Sequence, residues 1–103
     1  GPATNLAHAG SLVFNSECQV RYILGCIGAI LENNCQLMEC TEEANTDYNE
    51  RLQDWVKQLV WASDSTNNWY KNSKGKVTAN LPWRLVDYWK WTRKPDLSQY
   101  RLY

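Results

Sequence analysis

Residues 68–91, NWYKNSKGKVTANLPWRLVDYWKW, gather Trp69, Tyr70, Trp83, Tyr88, Trp89 and Trp91 into one short run. Each such ring buries a large area, while the indole N–H and the phenol O–H still require a polar partner. So dense a set is walled into a core or lines one side of a ligand pocket. Any fold for this chain has to place that run first.

The rest of the composition narrows the partners. A chain of 103 residues makes a single small domain, and one of this size buries only about 60–70% of its unfolded surface. Eleven basic and eleven acidic side chains leave no net charge, and no long run of either sign occurs. Neither a nucleic-acid footprint nor an electrostatic membrane anchor is expected. An apolar small molecule or a protein partner fits better. No run reaches the roughly 18–20 apolar residues of a spanning helix, and no signal-peptide pattern is present. The expectation is a soluble, cytoplasmic protein. Met38 is the only methionine, so the sequence as given does not open on an initiator, and Gly1-Pro2 reads equally as native or as a tag-cleavage remnant.

Cys18, Cys26, Cys35 and Cys40 show no CxxC spacing, and the single histidine, His8, is remote from them. No metal site is expected, and reduced, buried thiols are favoured over disulfides. Cys18, Tyr22 and Cys26 share one helix face, which suits packing.

Residues 1–14 are rich in small and turn-forming types and read as an ordered loop. Ser16 and Gln19 form a capping-box signature ahead of Val20, Ile23, Leu24, Ile27, Ile30 and Leu31. These predict a helix over 17–32, within a segment 15–34. Gly25 and Gly28 weaken it by about 1 kcal/mol each, so another backbone is expected to press close on that side. Residues 36–41 read as a short strand or extended connector. A second helix is predicted over 45–62, with Tyr48, Leu52, Trp55, Val56 and Leu59 as its apolar stripe. A hairpin is predicted over 69–78, turning at 72–75 where Gly75 supplies the positive φ. Pro82 suits the first position of a helix over 82–91, and residues 92–103 read as a tail wrapped over the surface. The architecture expected is α+β: two or three helices packed on a small antiparallel hairpin or sheet, in a single small domain.

GPATNLAH at 1–8, ECQVRYI at 17–23, WYKN at 69–72, GKVT at 75–78, Pro82 and DYW at 87–89 occur in this order. Together they resemble the C-terminal end of class B flavoprotein monooxygenases, most nearly the fungal Baeyer–Villiger type. The resemblance implies a loop beside the flavin, then a helix, then a segment closing the chain near the substrate cavity. It also implies FAD and NADPH held on two Rossmann-like units. No GxGxxG occurs in this chain, so no cofactor is expected on it, and it is not expected to act alone as a monooxygenase.

Several positions depart from the family pattern. Ala3 stands in place of Asn, Ala7 in place of Gly before His8, and Ala9-Gly10 carries an insertion. Asn67 stands where Cys is common, and LPWR at 81–84 replaces a Trp-Pro-Gly-Ser-like run, with Trp83 and Arg84 much the larger residues. An excised piece of a full-length enzyme and a truncated gene product with a new use both fit.

For the second, holding a reactive conformer is chemistry that needs no cofactor. The leading expectation is a cofactor-independent cyclase or isomerase, for example a Diels–Alder-type catalyst, acting on an apolar terpenoid or polyketide-like substrate. Trp69, Trp83, Tyr88 and Trp89 would shape the pocket, and His8, Tyr70 or Arg84 would donate a hydrogen bond to a carbonyl. Blander readings stand beside these: His8 as a turn cap, Arg84 as a solvated side chain, Asp87 as an ion-pair partner. The alternative from another class is a non-catalytic small-molecule-binding or dimerising module. So small a core also suggests a homodimer.

Overall fold

The computed structural model of the protein describes residues 5–6, 11–59, 71–76, 78 and 80–103. His8, Trp69 and Tyr70 lie outside them.

The longest element is a helix, α1 (Leu12–Glu32). It starts earlier than the sequence predicts. Ser11 is extended and its Oγ accepts from the Phe14 N–H at 3.2 Å, which satisfies one of the free donors of the first turn. Ser16, the expected cap, sits inside the helix, and its hydroxyl donates back to the Leu12 carbonyl at 3.1 Å. The last residues of the presumed entry loop are therefore helical. At the other end Asn34 takes φ 52°. The Cys35 N–H reaches the Ile30 carbonyl at 2.9 Å and the Asn34 N–H the Leu31 carbonyl at 3.1 Å, the paired bonds of a Schellman stop.

A short strand, β2 (Met38–Cys40), follows β1 (Asn5–Leu6) and α1 in the chain. The next helix, α2 (Glu42–Val56), also begins before its expected start. Thr41 Oγ1 accepts from the Ala44 N–H at 3.2 Å, and Glu42 and Glu43 complement the dipole in the first turn. Leu52 and Val56 are fully buried, whereas Trp55, expected in the same stripe, is 52% exposed. Steps of four through Tyr48, Leu52 and Val56 define the inward line, and Trp55 falls to its side.

The turn at Asn72–Lys76 forms as anticipated. Asn72 N–H donates to the Lys76 carbonyl at 2.8 Å, Asn72 Oδ1 accepts from the N–H groups of Lys74 and Lys76, and Gly75 takes φ 76°. The arms at 69, 70 and 77 lie outside the described residues. Next come β3 (Asn80–Leu81), parallel to β1, and α3 (Leu85–Trp91). Pro82 is not the first helical residue. Pro82 and Trp83 are buried in non-helical chain, and the extended Arg84 sets where α3 begins. Drawing Trp83 into the core takes precedence over the helical preference of Pro82.

The tail does more than wrap. A 3₁₀ turn at Leu97–Gln99 leads into β4 (Tyr100–Leu102), which pairs antiparallel with β2 through Met38↔Leu102, Glu39↔Arg101 and Cys40↔Tyr100. Three helices thus pack with a two-stranded antiparallel sheet in one small α+β domain. The core consists of Cys18, Leu52, Val56, Leu81, Trp83 and Tyr88, with Phe14, Tyr48 and Trp89 packed against it. Cys18 is the only one of the four free thiols that is fully enclosed; Cys26 and Cys35 are half-buried and Cys40 is exposed.

Two side-chain contacts fasten the tail to α1. The hydroxyls of Tyr22 and Tyr100 share a short hydrogen bond. The buried Pro95 ring lies over Gly25 so closely that a Cβ there would sit 2.7 Å from Pro95 Cδ. The expected close approach is therefore real at Gly25, made by a proline ring rather than by backbone. At Gly28 nothing lies within 4 Å.

The two glycines separate cleanly by mutation. Gly28→Ala should raise stability by about 0.5–1 kcal/mol through helix propensity. Gly25→Ala should lower it by roughly 1–3 kcal/mol, because the added methyl displaces Pro95 and loosens the tail. Urea melts of both variants check this, and a Gly25→Ala midpoint above that of the unsubstituted chain would show that the tail does not press on α1.

Candidate functional site

The aromatic run supplies the densest chemistry on the chain; of its described members Trp83 and Tyr88 turn inward, whereas Trp91 is 46% exposed. Trp83 is 8% exposed. Its ring lies 5.7 Å from that of Tyr48, tilted by 52°, and meets the Trp91 ring edge-on at 5.0 Å. Both arrangements suit the quadrupoles of the rings. Tyr88 is buried beside Cys18, where enclosure raises its phenol pKa against the opposing hydrogen bond of Gln19. Burial, reinforced by Tyr88, pushes Tyr48 up to about 12. Trp89 is half-buried, and the Arg93 guanidinium carbon sits 4.5 Å from its ring centroid.

Arg84 faces outward. Its Nε–H donates to Asp87 Oδ2 at 3.0 Å and its Nη2–H to Asp87 Oδ1 at 3.3 Å. This fork holds the Asp87 carboxyl below the usual carboxylate range. Asp87 is thus an ion-pair partner, and the Arg84 guanidinium is committed to it in the solvent-facing first turn of α3. Of the candidate site residues, the structure brings Trp83 and Tyr88 together in the core, sets Trp89 at its margin and places Arg84 outside it. His8, Trp69 and Tyr70 fall outside the described residues. An open hollow does exist along α2, between Asn45, Asn49, Gln53, Lys57 and Lys76. Its lining residues are all polar or charged types and include none of the aromatic candidates. Among the described residues no three His, Cys, Asp or Glu side chains gather in a metal-binding group, and no described helix is long and apolar enough to cross a membrane.

Two features escape sequence reasoning. The first is the pairing of Tyr22 with Tyr100, whose phenol pKa values are raised chiefly by burial. Only the shared face of Cys18, Tyr22 and Cys26 hinted that this side of α1 meets something. The second is which side of α1 the chain covers. Cys18, Tyr22, Gly25 and Ala29 face the fold. The aliphatic line on the opposite side faces water, with Val13, Val20, Leu24, Ile27 and Leu31 from 47% to 73% exposed. The strongest apolar signal in the helix is the side this chain leaves open.

The sequence is matched within much longer proteins. An uncharacterized monooxygenase of Sinorhizobium fredii is 35% identical over 98% of this chain, which corresponds to 15% of that protein. An FAD-binding monooxygenase of Aspergillus niger is 32% identical over 98% of the chain and 16% of its own length. This chain is homologous to one segment of the FAD-binding, Baeyer–Villiger-type monooxygenases. A Baeyer–Villiger monooxygenase of Streptomyces coelicolor, 24% identical with 20% of its length covered, extends the set. The chain spans only 15–20% of these relatives' length. They come from bacteria as well as fungi, so the fungal branch expected from the resemblance is not singled out. No family profile matches the chain, and no solved structure matches it.

The described residues do not fit a flavin nucleotide by themselves. A pyrophosphate needs glycines that let backbone approach it at a helix N-terminus. Here Gly25 receives a proline ring, Gly28 meets open space and Gly75 serves a surface turn.

The buried and half-buried phenols set an alkaline limit on the segment's stability. A free tyrosine ionises near pH 10, whereas Tyr22, Tyr48, Tyr88 and Tyr100 all ionise later when folded. Their contribution is complete below about pH 10 and is lost as pH rises toward the folded values, which for Tyr48 is about 12. The urea midpoint should fall steeply above about pH 10, with tyrosinate absorbance growing in step with unfolding. Ionisation of all six tyrosines near pH 10 without unfolding would contradict the buried phenols.

Proposed function

We propose that this chain serves as a packing and substrate-side segment of a flavin-dependent monooxygenase, working with a nucleotide-binding body in the same polypeptide or in a separate one. One observation carries the reading: the match runs along 98% of the chain yet fills only 15–16% of relatives named as monooxygenases. The large remainder of such a protein is where flavin and nicotinamide would be held. Trp83 and Tyr88 give the segment a rigid core, and the aromatic run would present its other residues, Trp69 and Tyr70 among them, to an apolar substrate.

The finer reading, a cofactor-free cyclase or isomerase with His8, Tyr70 or Arg84 as donors, ranks second. In its favour is the concentration of rings suited to gripping an apolar polyene. Against it, Trp83 and Tyr88 are used in the core and Arg84 is held by Asp87.

Exchanging the corresponding segment of the Sinorhizobium fredii monooxygenase for residues 1–103 tests the first reading. The chimera should retain visible flavin absorbance and show oxygen-dependent oxidation of NADPH. A soluble chimera devoid of flavin, or an isolated chain that accelerates an intramolecular cycloaddition above background, would favour the second.

A further inference from the structure

We infer that the aliphatic line on α1 is the docking face for the flavin-binding body, an inference that rests on the reading just given. Val13, Val20 and Ile27 recur at steps of seven, as do Leu24 and Leu31, so they form one ridge along the helix, directly opposite the side fastened by Tyr22 and Gly25. The charged residues of α1, Glu17, Arg21 and Glu32, lie to one flank, and the ridge itself carries none. Contiguous apolar surface of several hundred Å² is seldom left bare on a monomer. Seven aliphatic side chains of α1, Leu12 and Ile23 included, are 47% to 73% exposed.

What covers the ridge follows from the length of the relatives. The bacterial and fungal proteins described above carry about 85% of their chain outside the matched segment. Nothing in this chain turns toward the ridge among the described residues, whereas α2, α3 and the tail all serve the opposite side. A surface of this kind, regular and uncharged, is what a helix presents to the layer it packs against in a larger α/β body.

The test uses the same chimera with Leu24→Glu and Ile27→Glu, beside Gln58→Glu as a charge control at the exposed turn just after α2. The inference expects each ridge variant to lower the melting temperature by at least about 5 °C and to release flavin, with the control unchanged. Ridge variants as stable and as flavin-loaded as the parent chimera would overturn it while leaving the proposed function standing. A chimera that never binds flavin defeats the proposed function instead. The ridge remains decidable on the isolated chain through a hydrophobic fluorescent dye and light scattering. Dye binding that Leu24→Glu abolishes supports an open apolar face. A dye-silent monomer overturns the inference, as does a stable dimer split by Leu24→Glu, which would assign the ridge to a second copy.

Discussion

The fold depends on how α1 is divided between its two sides. On one side a glycine admits the Pro95 ring and a tyrosine hydroxyl meets Tyr100, so the tail can lie down and deliver β4 to β2. Those contacts join residues far apart in sequence, and the loop closure they require is costly until the strand pair forms. Small residues are what make this possible. A large side chain in place of Gly25 would hold Pro95 off the helix, and the tail, the antiparallel pair and the Tyr22 contact would loosen together.

The other side of α1 has the opposite character. Full burial of a Val, Leu or Ile side chain contributes about 1.5–3 kcal/mol, and several such residues stand largely in water. A radius of gyration of 15.2 Å and extents of 50 × 29 × 18 Å describe a slab, against about 13 Å for a compact domain of this length. A slab with one apolar edge is the shape of a layer in a larger assembly. The homology says the same from another direction, since the segment recurs inside proteins several times its length.

Local chemistry was well legible in the sequence. The turn at Asn72–Lys76 follows from Asn and Gly at the positions that need them, and the inward line of α2 follows from steps of four. Helix starts were misplaced because Ser11 and Thr41 cap earlier than the periodic residues suggest, and Ser16 only mimics a cap. The pairing of β2 with β4 was illegible, because three-residue strands far apart in sequence carry no pattern that names their partner. The candidate site is less legible in the sequence than the fold, for a physical reason. Aromatic density marks a core and a pocket equally, and Trp83 and Tyr88 serve the core. Likewise the aliphatic period of α1 marks a helix, but the side it points to stays exposed in this chain.

The claim on which the rest turns is that α1 uses its small-residue side within the chain and leaves its aliphatic side open. Methyl relaxation of the dilute chain by a soluble paramagnetic chelate measures this directly. Strong broadening at Leu24, Ile27 and Leu31 with protection of Ala29, Leu52 and Val56 is the predicted pattern. Protected ridge methyls in the dilute chain, with Ala29 broadened, would show that the helix is turned the other way and would contradict the account.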